Sequence, residues 1–300
     1  MTTGIPLLGE TLALAAALSW SAGVILFRKL GDQSPPVAVN LFKNAVTVVL
    51  LALTLPLAGT PFLPDRPASD WLLLVVSGLL GISLADTLFF MALNRLGAGL
   101  VAVVDTLYAP AVIGLSVLFL GERLGAQVLV GAVLIVGAIL VGAADRPAPG
   151  STRRRIVEGA VLGAVAIFCM AAGIVMAKGV LETAPLLWAA EVRMAAGTAG
   201  LLPLLLFPRW REGIAPLFRP SRRWALAVPA SVLGAYLSMT AWLGGFKFTL
   251  VSVAAVLNQL STIFIFLLAA VFLREPMTKR RTLAVAMAVA GALLVALRGP

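Results

Sequence analysis

Histidine is absent from the 300-residue chain, and cysteine occurs once, at Cys169 inside an apolar run. These gaps remove the His and Cys clusters that metal sites need, and a single thiol excludes an intrachain disulfide. Cys169 itself reads as a small core residue. Charge is scarce too: 12% of residues are charged and 61% are hydrophobic, with a mean hydropathy of +1.04. Ordinary soluble domains carry about 25% charged residues, and no water-soluble fold could hide this much apolar side chain. The phosphate-cradling pattern GxxxxGK[ST] does not occur, so work driven by the chain's own ATP hydrolysis is not expected. No metal or other cofactor is expected.

What the chain does have is long apolar runs, at about 8–28, 37–58, 71–93, 97–120, 126–144, 157–178, 185–207, 223–246, 249–272 and 282–297. A helix crosses the hydrocarbon layer with roughly 20 mostly apolar residues. The expectation is an all-α integral membrane protein of ten transmembrane helices. The first residues, MTTGIPLLGETLAL, show no basic segment followed by a small-residue cleavage site, so the first helix is expected to stay.

A net charge of +10 would point to nucleic acid in a soluble protein, but here the cations sit in short connections and report orientation. One set of alternate connections holds Arg28, Lys29, Arg95, Arg146, Arg153 to Arg155, Arg209, Arg211, Arg219, Arg222, Arg223, Arg274 and Lys279 to Arg281. The other holds only Arg66, Arg123, Lys178, Lys247 and Arg298. The richer set is expected on the cytoplasmic side of an inner (plasma) membrane, with both termini outside. Expected partners are the lipid bilayer and a small-molecule substrate, not nucleic acid, and the expected state is a monomer.

The halves repeat. At an offset of 150, Gly23 falls on Gly173, Arg28 on Lys178, Pro35 on Pro185 and Lys43 on Arg193. At an offset of 153, Trp71 falls on Trp224, Gly81 on Gly234, Thr87 on Thr240 and Glu122 on Glu275. A three-residue insertion between the second and third spans of the later half accounts for the change. The reading is a five-helix repeat over 1–146, a linker over 147–155 and a second five-helix repeat over 156–300. An odd number of spans makes the second copy enter from the opposite side, so the repeats are inverted around a central cavity, a hallmark of secondary transporters.

Charges inside spans are costly and therefore informative. Asp86 and Asp105 lie at equal distances from a turn near Arg95 and Leu96, which gives antiparallel neighbours similar depth. Either they share a polar cavity and raise one another's proton affinity, or each caps backbone or pairs with Arg95. Their repeat mates are Met239 and Asn258, so the cavity should be chemically uneven. Asn258 and Gln259 form a polar pair in the apolar ninth span, either to bind substrate or to join helices. Pro110 should kink the fourth span and free a carbonyl. Lys43 and Arg193 fit either two gates or two snorkelling anchors. Trp20, Tyr108 and Trp242 fall within spans, where they fit lipid, core or a substrate wall, whereas Trp71, Trp210 and Trp224 read as interfacial anchors.

The paired Gly and cation ending the first span of each half, the Pro with a downstream Lys or Arg in each second span, and the GERL and REPM segments with Glu122 and Glu275 give the chain its likeness. Along its whole length it resembles the EamA-type families of the drug/metabolite transporter superfamily, and most nearly the YddG-type amino-acid exporters. That resemblance implies a cavity lined by the first, third, fourth, sixth, eighth and ninth spans. On those spans the polar and aromatic candidates are Trp20, Asp86, Asp105, Tyr108, Trp242, Asn258 and Gln259. The leading expectation is a secondary exporter of small metabolites, amino acids first. Alternatives are a drug, nucleoside or nucleotide-sugar carrier, and more remotely a membrane scaffold. An enzyme would need clustered catalytic groups, and none is visible.

Overall fold

The computed structural model describes residues 7–31, 33–105, 107–142, 152–272 and 279–296, and among these every regular element is a helix. Away from water a backbone must satisfy its own N–H and C=O groups, which a helix does within one segment. The main apolar helices, in chain order, are α1 (Leu8–Gly31), α2 (Pro36–Leu57), α3 (Ala68–Leu96), α4 (Tyr108–Leu120), α5 (Ala126–Gly142), α6 (Arg153–Thr183), α7 (Leu186–Leu206), α8 (Trp224–Phe248), α9 and α10 (Lys279–Ala296), with a further short helix, Pro208–Phe218, between α7 and α8. Helix α9 has two segments, Val251–Asn258 and Leu260–Phe272. Six of these, α1, α2, α3, α6, α7 and α8, are long and apolar enough to cross a membrane, and the rest include shorter apolar helices. Proline punctuates them as it should: Pro35, Pro67 and Pro185 are extended at the starts of α2, α3 and α7.

Polarity runs inside out. Asn40, Lys43, Asn44, Thr47, Ser77 and Arg193 are buried, whereas Leu53, Leu118, Val133, Phe168 and Leu293 are exposed. A bilayer is the solvent that tolerates that surface.

Helical residues continue from Asp86 to Asp105, yet the chain reverses within them. A methyl group on Gly163 would lie within 3.5 Å of both the Ala92 and Val104 side chains. One straight helix would hold those two about 18 Å apart. The expected turn near Arg95 and Leu96 is therefore a hairpin, and its second arm leads to Asp105 and on to α4.

Packing follows the repeat. Helix α1 lies against α8, and a Cβ on Gly23 would fall 2.3 Å from the Cα of Gly234. Helix α6 lies against α3, where a Cβ on Gly173 would meet Ser77 O at 3.1 Å and Gly81 N at 3.5 Å. Gly23 and Gly173 are repeat mates, and so are Gly81 and Gly234. Helices α2 and α7, and α5 and α10, pack as mated pairs. Both α3 and α8 widen into π-helical turns, at Leu79–Ala85 and Val232–Leu237, which are corresponding positions in the two halves. Wide turns of this kind are rare and gather at functional sites.

Helix ends are stitched by charge. Lys178 on α6 donates to Phe246 O (2.6 Å) and Thr249 O (3.1 Å) at the end of α8. Lys247 on α8 donates back to Leu181 O and to Ala184 O (2.8 Å) at the end of α6. Each cation neutralises the carbonyl end of the other helix. These two lysines serve helix termini, so they weigh less in the count of loop cations.

The acidic turn after α4 has a similar purpose. Gly121 adopts φ +66°, a left-handed conformation that stops α4 and turns Glu122 away from it. The Glu122 carboxylate accepts from Val251 N (2.7 Å), Ser252 N (3.2 Å) and Ser252 Oγ (2.6 Å), capping the start of α9. Replacing Glu122 by Ala leaves those donors open and is expected to cost about 1–2 kcal/mol. The measurement is thermal unfolding in detergent, and an unchanged midpoint would show the cap to be dispensable. The second acidic turn, with Glu275, lies outside the described residues, as does most of the 147–155 join.

The connection after α7 has structure of its own: Pro208–Phe218 forms a helix that buries Ile214 and Leu217. Trp224, expected as an interfacial anchor, is also held by the protein: its Nε1 donates to Leu217 O at 2.9 Å and its ring meets Phe42 edge-on at 5.6 Å. Trp71 likewise packs edge-on against the buried Trp188 at 4.8 Å.

Candidate functional site

Between the two halves lies a cavity with about 890 Å³ of empty space, part of it open to solvent. Trp20, Asp86, Asp105, Tyr108, Trp242, Asn258 and Gln259 all line it, and so do Lys43 and Arg193. Pro110 does not: it is exposed.

The lining comes in repeat-related pairs: Trp20 with Met170, Lys43 with Arg193, Gly81 with Gly234, Asp86 with Met239, Phe89 with Trp242, Asp105 with Asn258 and Tyr108 with Ser261. Met170, Met239 and Ser261 were not among the candidates. Their signal was present, since each is the mate of a residue that was. Asp105 and Asn258 also occupy equivalent backbone positions, each ending a helical segment.

Lys43 and Arg193 do not snorkel. They are 2% and 1% exposed, so neither reaches an interface. Lys43 Nζ lies 2.7 Å from Asp86 Oδ2 and 2.8 Å from Asn44 Oδ1. A lone cation and a lone carboxylate inside the membrane have thus found each other, the arrangement that makes burial of either tolerable. Asp86 and Asp105 both line the cavity, and Asp86 pairs with Lys43 rather than with Arg95, whose Nη1 donates to Met91 O in its own helix at 3.2 Å.

Arg193 has no such partner. Met239 stands where repeat correspondence would place a carboxylate, and no acidic oxygen lies within 4 Å of the guanidinium among the described residues. Nη1 donates to Ser77 Oγ and, at 3.3 Å, to Gly173 O, while Nε is buried without a partner. The guanidinium carbon sits 5.6 Å from the centre of the Trp242 ring, in reach of a cation–π contact. Close approach makes this placement possible: a Cβ on Gly78 would lie 2.3 Å from Arg193 O, and one on Gly81 would lie 3.4 Å from Nη2. Glu191, two residues away, makes no pair with it and keeps a buried Oε2 without a partner.

Opposite charge is also present. Asp105 lines the cavity half-buried, with no cation within 4 Å of its carboxylate among the described residues. Its backbone carbonyl, at the end of a helical segment, accepts from Gln259 Nε2 at 2.7 Å. Gln259 therefore joins helices, while Asn258 keeps a buried Nδ2 with no partner. The aromatic wall is Trp20, tilted against Phe89 at 6.3 Å, together with Tyr108 and Trp242, the latter edge-on to Phe246 at 4.9 Å.

No curated protein matches the chain. Solved structures share the fold, among them a crystal structure with TM-score 0.79 and 19% sequence identity, covering 97% of this chain and 96% of that one. The sequence pattern of the EamA-like transporter family matches twice, over residues 7–142 and 157–297. Two copies of that pattern span nearly the whole chain, on apolar helices long enough to make it a multi-pass membrane protein. By that double match the chain belongs to the EamA-like transporter family.

Proposed function

We propose that this transporter exports amino acids by alternating access, as a monomer in the inner membrane with both termini outside. The observation that carries the reading is the cavity between the halves, where one unpaired cation, Arg193, and one unpaired carboxylate, Asp105, share an aromatic and apolar enclosure. Counting the Lys43–Asp86 pair, the formal charges lining the cavity cancel. A zwitterion enters such a space without leaving net charge in low dielectric, whereas a free amine or a phosphate would leave an excess.

Alternating access draws support from the paired packing of α1 on α8 and of α6 on α3, and from mated π turns and helix interruptions beside the cavity. Ten crossings, arranged as two inverted five-helix repeats, give these features one origin. Interrupted helices at a midplane site are how transporters present backbone dipoles to a solute. The YddG-type likeness agrees with an amino-acid substrate. A nucleotide-sugar carrier would want several free cations, and Lys43 is already held by Asp86.

The test is counterflow into proteoliposomes preloaded with unlabelled solute, using neutral and aromatic amino acids, nucleosides and cationic drugs. Accumulation of labelled amino acids, with none of nucleosides or drugs, is the expected result. Nucleoside or drug exchange without amino-acid exchange would replace the substrate, and no exchange of any solute would end the carrier reading.

A further inference from the structure

We infer that Arg193 is the carboxylate anchor of the substrate site, an inference that rests on the amino-acid reading above and assigns one end of the solute to one residue. Arg193 as a whole is 1% exposed, yet it lines the cavity and makes no ion pair within 4 Å among the described residues. Its Nε is buried with nothing to donate to. Burying a cation in this way is costly unless an anion is supplied. The other half shows how the chain meets the same need itself, since Lys43, the mate of Arg193, is neutralised by Asp86 at 2.7 Å. At the corresponding position the later half carries Met239, which also lines the cavity, so among the described residues that half places no carboxylate against Arg193 and leaves the position to an anion of the solute.

Chemistry narrows that anion. A guanidinium presents a planar fork that matches a carboxylate through two parallel hydrogen bonds. Nη1 is already committed to Ser77 Oγ and Gly173 O, which leaves Nε and Nη2. Gly81 leaves open the space beside Nη2, where a Cβ would stand 3.4 Å away. Trp242, 5.6 Å from the guanidinium carbon, holds the plane of the fork from one side. Asp105 is the unpaired carboxylate lining the same cavity, and it is the acceptor for the substrate ammonium.

The experiment measures binding of L-phenylalanine, 3-phenylpropionate and 2-phenylethylamine to the purified full chain by isothermal titration. The expected order is phenylalanine tightest, the acid next and the amine weakest. Arg193→Gln should weaken both carboxylate ligands about 10- to 100-fold and leave the amine unchanged, with Arg193→Lys recovering part of the loss. Because a buried Arg variant can fail to fold, Met239→Asp is the second probe: it keeps Arg193 and installs the anion that the first half possesses. It should raise thermal stability while abolishing binding of the two carboxylate ligands. Arg193→Gln binding phenylalanine as the unmodified chain does, Met239→Asp binding it unchanged, or the unmodified chain favouring the amine or binding none of the three would each overturn the assignment. The counterflow result stands apart from it: amino-acid exchange that survives in folded Arg193→Gln with unchanged affinity leaves the carrier intact and removes only the anchor.

Discussion

Gly23→Leu and Gly234→Leu are each expected to prevent recovery of folded, monodisperse protein. The reason is geometric. Already at the first side-chain atom, Gly23 would stand 2.3 Å from the Cα of Gly234, and a Cβ on Gly234 would stand 2.6 Å from the Phe27 ring and 2.9 Å from the Cα of Gly23. Helices in a membrane gain nothing from hiding apolar surface from lipid, so their association depends on such close backbone contact. Forcing α1 and α8 apart should cost more than about 3 kcal/mol, beyond the usual range for overpacking. The repeat supplies its own control, because Gly173→Ala meets its neighbours at 3.1 Å or more and should lower the unfolding midpoint only slightly. Thermal unfolding in detergent separates the cases, and a Gly23→Leu protein as stable as the parent would show that α1 and α8 do not touch there.

Breaking the Lys43–Asp86 pair should be the other large effect. Lys43→Met leaves the Asp86 carboxylate without its cation, and Asp86→Asn leaves a buried ammonium held only by Asn44 Oδ1 at 2.8 Å. Removing one member of a buried pair costs about 3–5 kcal/mol, whereas replacing both with apolar residues is often neutral. The double variant Lys43→Met with Asp86→Met should therefore unfold at a higher temperature than either single variant. Additive losses in that cycle would mean the two charges do not depend on each other.

Much of this architecture could be read from residue order alone. Two fixed offsets placed Gly23, Gly81, Gly173 and Gly234 in register, and the structure brings these four into paired contact. The seven polar and aromatic candidates on the implied spans all reach one cavity, because a polar or charged group in an apolar span has few other places to go. The ion pair was hidden for an equally physical reason. Lys43 and Asp86 sit on different helices, and sequence spacing reveals neighbours only on the same one. Arg193 was misread as a possible anchor because depth within a span depends on tertiary packing, here on the bare backbone of Gly78. The surface helix Pro208–Phe218 was missed because its arginines and Pro216 resemble a loop, although Trp210, Ile214 and Leu217 fall on one helical face.

The substitution of Met239 for an acid has a thermodynamic reach beyond the cavity. A carrier built from two identical inverted halves would have two resting forms of equal free energy, related by a twofold rotation in the membrane plane and differing only in which side they face. Here one half keeps its internal counter-ion and the other does not, so that degeneracy is lifted. If access alternates as proposed, the empty protein spends more time facing one compartment than the other, and an anion seated on Arg193 redistributes that preference.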